Sequence, residues 1–245
     1  MYSRSEFEEF LKQERQKMSE DKALANDAKT LIFNADKYHW IHQTKFLGEP
    51  CLQLPQDLFA IQEIIFKVKP DYIVEAGVAW GGSLLFYASV LEALGQGKVI
   101  GIDKYIPEDL KERLSSKGSL SKRIELYEMD SCEQDTRIFI HNKIPIDSRT
   151  ILILDANHTK NSVLKELDLY SDLVTKDSYI ICCSTVIEYK EEKNVNRSRP
   201  WGKNNNPLSA LREFLNKNDR FLIDNYFDQK LLLSCNPHGY LRCIK

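Results

Sequence analysis

No stretch of the 245 residues approaches the roughly 18–20 apolar positions that span a bilayer, so the sequence predicts no transmembrane helix. An excess of positive charge is also missing: 34 Lys and Arg stand against 36 Asp and Glu, a formal charge of −2. Nucleic-acid binders draw much of their affinity from such an excess, which displaces counterions from phosphates, so no nucleic-acid partner is expected. The N-terminal MYSRSEFEEFLKQERQKMSEDK is charged throughout and lacks the apolar stretch of a secretory signal, which points to a cytoplasmic protein. Cys51, Cys132, Cys182, Cys183, Cys235 and Cys243 show neither CxxC nor metal-finger spacing. They read as free thiols packed mostly in strands, and the vicinal pair 182–183, preceded by apolar residues, reads as buried rather than redox-active.

What is present suffices for a globule. With 42% hydrophobic and 29% charged residues, a chain of this length is within the range of one α/β domain. Ser5 to Leu31 is rich in Glu, Lys, Ala and Leu and predicts one or two exposed helices, so residues 1–37 form an N-terminal helical extension and 38–245 the main domain. These helices have no evident place on the core, which suggests packing on another subunit and hence a homo-oligomer. From Tyr38 to Pro55 an ordered loop is expected, then a helix over Gln56–Val68 with Pro55 at its start.

Strands are predicted at Asp71–Ala76, Lys98–Asp103, Arg123–Glu128, Thr150–Asp155 and Ser178–Cys183, alternating with helical patterns. Two closing strands are predicted near Phe221–Ile223 and Lys230–Ser234. Continuous apolar strands alternating with amphipathic helices imply a mostly parallel, seven-stranded sheet with helices on both faces, a Rossmann-like α/β fold. The last two strands are separated by too few residues for a parallel crossover and should form an antiparallel hairpin. That ending favours the methyltransferase version of the fold over the all-parallel dehydrogenase version. The polar run Tyr189–Asn206 is a long loop of the kind that often closes over an active site.

Ligands of such sheets gather at the carboxyl ends of the strands. Four features fall there. Glu75-Ala76-Gly77-Val78-Ala79-Trp80-Gly81-Gly82-Ser83 is a glycine turn leading into a helix, whose first N–H groups can face a polar ligand; its spacing is not G-x-G-x-x-G. Asp103 ends the second strand, where a carboxylate can accept hydrogen bonds from ribose hydroxyls, or cap the loop. Asp130-Ser131 follows the third strand and is either an adenine contact or a turn former. Asp155 and His158 follow the fourth, where Asp155 could hold a divalent cation or substrate and His158 could act as general base or merely pack. Trp40, Trp80 and Trp201 are candidates for packing on a ring of the substrate, with a core role as the alternative.

The segments IVEAGVAWGGSLLFYAS, VIGIDKY, LILDANHTKNSVLKELDLYSDLV and RPWGKNNNPLSALREFL resemble the cephalosporin hydroxylase family across about Trp40 to Lys245. Despite that name, its members look like S-adenosylmethionine-dependent methyltransferases of antibiotic and glycolipid or sugar biosynthesis. The resemblance implies that the cofactor rests on Glu75, Gly77, Gly81, Gly82 and Ser83, with Asp103, Asp130 and Ser131 holding its nucleoside. It also implies that Asp155 contributes to a magnesium site and that Arg199–Gly202 borders the substrate pocket, with Arg199, Trp201 and Trp40 as substrate-binding candidates. One departure stands out. Where the family carries an acidic second metal ligand just before Thr, this chain reads Cys182-Cys183-Ser184-Thr185, and Ser184 offers only a neutral hydroxyl. Glu188 is the nearest acid that could compensate.

The reading is therefore an S-adenosylmethionine-dependent O-methyltransferase acting on a hydroxyl of a small sugar, glycolipid or antibiotic-like molecule. His158, oriented by Asp155 or by a metal on it, removes the acceptor's proton. Two alternatives remain: a non-catalytic S-adenosylmethionine-binding scaffold that has lost its metal site, and, less favoured, a nicotinamide-dependent oxidoreductase.

Overall fold

The computed structural model describes residues 2–190 and 198–245; positions 191–197 of the expected lid lie outside the described residues. The chain opens with α1 (Arg4–Glu20) and α2 (Lys22–Asp36). Asp21 separates them, since its extended backbone ends α1 while its carboxylate caps α2 by accepting the Leu24 N–H at 3.0 Å. The region expected as a loop contains a 3₁₀ turn at Trp40–Gln43 and a small ribbon, β1 (Lys45–Phe46) paired with β2 (Glu49–Pro50). Helix α3 (Pro55–Val68) follows, started by Pro55.

The main sheet comprises β3 (Tyr72–Ala76), β4 (Lys98–Asp103), β5 (Ile124–Glu128), β6 (Thr150–Leu154), β7 (Tyr179–Cys182), β8 (Phe221–Ile223) and β9 (Tyr240–Cys243). Its helices are α4 (Gly82–Leu94), α5 (Glu108–Ser115), α6 (Gln134–Lys143), α7 (Lys160–Tyr170), α8 (Pro207–Lys217) and α9 (Asn225–Lys230). The strand order is β5-β4-β3-β6-β7-β9-β8, parallel from β5 to β7, with β9 antiparallel to both neighbours. Alternate residues of each strand point to opposite faces. Ile73, Val99, Ile151 and Ile181 join α3 and α4 in one core, while Val74, Ile100, Leu152 and Ile180 join α7 and α8 in another.

The C-terminal strands are antiparallel as expected, but the last one is not at Lys230–Ser234. It is Tyr240–Cys243, inserted between β7 and β8, and residues 225–230 are helical. A run of three leucines has no period that separates a strand from a packed loop. Here the buried carboxylate of Asp57 decides the matter: it accepts from the Ser234 hydroxyl at 2.5 Å and the Cys235 N–H at 2.8 Å, fastening this segment to the start of α3.

The N-terminal helices also differ from expectation. Helix α2 packs on its own chain, its Ile32 and Phe33 forming a third apolar cluster with Leu54, Val186 and Cys235. Helix α1 buries no residue and touches α9. Among the described residues no helix is long and apolar enough to cross a membrane.

Candidate active site

Register brings the strand ends level. Ala76 pairs with Ile102 on one side and Leu154 on the other, and Leu154 pairs with Cys182. Gly77, Asp103, Asp155 and Cys183 therefore leave the sheet along one edge, at β3, where the strand order reverses. Gly77 has a φ of 97°, and a Cβ added there would lie 2.4 Å from the Asp155 carbonyl oxygen. Only glycine fits that crossing of two backbones. At Gly82 an added Cβ would meet the Pro50 carbonyl oxygen at 2.3 Å, so α4 begins pressed against β2.

A cavity of about 520 Å³ opens at this edge. It is lined by Gly77, Gly82 and Ser83 of the glycine turn, by Asp155 and His158 after β6, by Arg199 and Trp201, and by Ile32 and Phe33 of α2. No side chain caps α4, which leaves its first N–H groups available beside Ser83. The His158 and Trp201 rings meet edge to face at 4.9 Å, and the Arg199 guanidinium stands 5.3 Å from the Trp201 ring centre. The Asn205 side chain accepts the Lys160 N–H at 3.0 Å, and Asn206 caps α8 with a reciprocal bond to Ser209. The LDANHT and RPWGKNNNP segments are thus one physical unit, the asparagines fixing the frame that presents His158, Arg199 and Trp201.

The remaining candidates lie elsewhere around the edge. Glu75 is fully buried behind Ser83, taking hydrogen bonds from the Ser83 hydroxyl at 2.7 Å and the Tyr87 hydroxyl at 3.0 Å. Burial and then the charge of Asp155 push Glu75 up to about 8. Asp103 accepts the Val78 and Ala79 N–H groups at 2.8 and 3.2 Å, which ties β4 to the glycine turn, and the Tyr105 N–H at 3.3 Å; a carboxylate has roughly four lone-pair sites, so capacity for about one further hydrogen bond, from a ribose hydroxyl, remains. Asp130 pairs with Lys104 at 2.9 Å, while Ser131 turns inward to donate to the buried Glu166 at 2.6 Å. Trp40 packs on the third apolar cluster, and its neighbours Ile41 and His42 line the cavity instead.

Asp155 does not orient His158. Among the described residues no hydrogen bond joins them; the Asp155 carboxylate is held by the Gln53 amide, whose Nε2 donates at 3.3 Å. Burial pushes Asp155 up to about 7 against that bond, and burial with the nearby Arg199 charge pushes His158 down to about 4. His158 is therefore neutral near pH 7, the form that accepts a proton.

Sequence reasoning missed Gln53 and Asn236, which both line the cavity. Gln53 follows Leu52 and Asn236 precedes Pro237, and neither type nor spacing singles them out. A polar residue inside an apolar stretch was the only available signal. It also missed α2 as a cavity wall, since an amphipathic helix does not declare what it covers.

Residues 38–244 match the family model described as rhamnosyl O-methyltransferase/CmcI. The chain belongs to this family. It is the family whose motifs the sequence resembled. A rhamnosyl O-methyltransferase of Mycobacterium leprae is 30% identical over 155 residues, covering 60% of this chain and 66% of that protein. One of Mycobacterium bovis is 26% identical over 175 residues, covering 66% and 64%. The match spans just under two thirds of each relative's length. A CmcI structure with magnesium and S-adenosylmethionine superposes with a TM-score of 0.57 at 21% identity, covering 83% of this chain and 78% of that one. An O-methyltransferase from Bacillus cereus bound to S-adenosylhomocysteine gives 0.51 at 16% identity, over 94% and 96%. These neighbours share the Rossmann-like methyltransferase fold of this chain.

The magnesium expected of the family does not suit this member's donors. Among the described residues no group of three or more His, Cys, Asp and Glu is placed to hold a metal. Near Asp155 stand the buried Cys183 thiol, whose deprotonation burial and the Asp155 charge oppose, and Ser184, whose N–H donates to Asn236 at 2.9 Å. Magnesium favours an octahedron of hard oxygens, usually including one or two carboxylates. Glu188 does not compensate. Its carboxylate takes the Asn204 N–H and Arg212 at 2.9 Å each, together with the Asn206 amide, and it does not line the cavity.

Proposed function

We propose that this chain transfers a methyl group from S-adenosylmethionine to a hydroxyl of a small molecule, with a sugar or sugar-bearing natural product as acceptor. The observation that carries the reading is the convergence of the family's two segments on one cavity, lined by a glycine turn that no larger residue could form. The cradle at Gly77 and Gly82, the uncapped start of α4 and the spare acceptor capacity of Asp103 fit the cofactor's amino-acid and ribose parts. Bound there, the cofactor supplies an electrophilic methyl carbon.

The protein's task is then alignment and proton removal. Trp201 and Arg199 offer a flat face and a cation for holding the acceptor beside His158, whose neutral imidazole takes the hydroxyl proton. The names of the mycobacterial relatives favour a deoxysugar hydroxyl. Residues 38–245 carry the chemistry, while the extension 1–37 contributes Ile32 and Phe33 of α2 to the cavity wall and leaves α1 available for self-association. With six free cysteines the protein belongs in the reducing cytoplasm.

Calorimetry with S-adenosylhomocysteine, followed by transfer of labelled methyl from S-adenosylmethionine to rhamnosides, tests the reading. Micromolar cofactor binding is expected, with turnover that falls roughly 10²–10⁴-fold in His158→Ala while cofactor affinity holds. Tight cofactor binding with no transfer to any hydroxylated acceptor would indicate the scaffold instead. Quenching of fluorescence by NADH in place of cofactor binding would indicate the oxidoreductase.

A further inference from the structure

We infer that the acceptor carries an anionic group, a phosphate or a carboxylate, and that Arg199 and Lys203 hold it while the reacting hydroxyl meets His158. The inference rests on the methyltransferase reading of the same cavity and narrows its substrate class. Arg199, Trp201 and Lys203 are alternate residues of one segment, and all three line the cavity. Hydrogen bonds fix that segment. Gly202 and Asn205 exchange backbone bonds at 3.0 and 3.1 Å, while Asn205 Nδ2 donates to the Pro200 carbonyl and Asn206 Nδ2 to that of Gly202, each at 2.8 Å. The Asn204 N–H donates to Glu188 at 2.9 Å and anchors the turn that carries Lys203.

Both cations are exposed to the solvent of the cavity, and neither has an acidic partner among the described residues. The acids nearby are already answered. Asp36 pairs with Lys190 at 3.4 Å, and Asp155 is buried and held by the Gln53 amide. Glu188 is taken by Arg212 and the asparagines and does not line the cavity. The described lining therefore carries a surplus of positive charge, in a chain whose formal charge is −2. A cleft with charge of one sign concentrates ligands of the other.

S-adenosylmethionine adds a sulfonium to that surplus. A neutral acceptor leaves all these positive charges unanswered, whereas a phosphate or carboxylate offsets them, and the planar fork of a guanidinium matches either group with two parallel hydrogen bonds. The spacing suits one small molecule. The Trp201 ring centre is 5.3 Å from the Arg199 guanidinium and 4.9 Å from the His158 ring, so an acidic sugar or a sugar phosphate can reach both.

Calorimetry on the full chain saturated with S-adenosylhomocysteine tests this with two matched pairs of probes, rhamnose 1-phosphate against methyl rhamnoside and methyl glucuronide against methyl glucoside. At least one anionic probe should bind about tenfold more tightly than its neutral partner, with an affinity that falls as salt rises. The pair that shows this preference tells phosphate from carboxylate. In Arg199→Gln the preference should shrink about tenfold, and in the double variant with Lys203→Gln it should vanish. Affinity for S-adenosylhomocysteine within about threefold of wild type certifies that both variants are folded. Neutral probes that bind as well as the anionic ones in both pairs overturn the inference, as does an anion preference that survives in the double variant. Loss of S-adenosylhomocysteine binding in Arg199→Gln also overturns it, since that cation would then serve the cofactor's own carboxylate. Failure of the wild type to bind S-adenosylhomocysteine would instead remove the methyltransferase reading itself.

Discussion

Asp57 and Gly77 illustrate how much of this site is decided by single residues. Asp57 is wholly buried at the first turn of α3 and accepts three hydrogen bonds, from Ser234, Cys235 and Tyr240. Asp57→Ala leaves three buried donors unanswered, and a loss of about 3 kcal/mol or more is expected in urea unfolding. The same change should loosen residues 234–236 and with them Asn236 in the cavity wall, so accelerated hydrogen exchange there is the second expected signal. Gly77→Ala fails for another reason. It forces a Cβ into the Asp155 backbone at a φ of 97°, so a loss of several kcal/mol, together with loss of S-adenosylhomocysteine binding, is expected by thermal melting and calorimetry. A stable Gly77→Ala protein that binds cofactor normally would contradict the crossing described here.

Among elements, the two N-terminal helices have opposite standing. Helix α1 has a capping box at Ser3 and Glu6 but buries nothing, leaving Phe7, Phe10 and Leu11 exposed. Helix α2 places Ile32 and Phe33 in the cluster that lines the cavity. Removing residues 1–20 should therefore change the melting temperature by less than about 3 °C and leave cofactor binding intact. Phe33→Ala should cost about 3 kcal/mol and weaken acceptor binding, because a buried aromatic leaves a void that the cluster can only partly fill. Comparable effects of the two changes would mean that the cavity wall is supplied differently.

At the scale of the whole molecule, the buried acids set a pH dependence. Asp57, Glu166 and Glu75 are held up to about 6, 7 and 8, in each case chiefly by burial. Their folded values exceed their unfolded ones, so the folded state binds more protons between the two, and stability falls as pH rises through the folded values. His158, held down to about 4, works the other way, but only below its unfolded value near 6.5. Between pH 6.5 and 8.5 the acids act alone among these four groups, and a fall in melting temperature of about 5–10 °C is expected. Glu75→Gln, neutral at every pH and similar in shape, should flatten that fall while changing stability little at pH 6.5. A melting temperature that rises over this interval would contradict the buried, uncharged state assigned to these carboxyls.

The alternation of apolar strands with amphipathic helices fixed the sheet, its mostly parallel sense and the glycine turn, because those depend on local periodicity and on backbone angles that few residues can adopt. The motifs likewise point His158, Arg199 and Trp201 to one pocket. Tertiary structure alone decided that Asp155 is held by Gln53 rather than turned toward His158, that Ser131 faces Glu166, that Glu188 serves α8, and that the last strand lies at 240–243. Each of these is a choice among hydrogen-bond partners or strand pairings far apart in the chain. Such a choice is settled by which groups packing leaves buried together, and no short stretch of sequence contains that information.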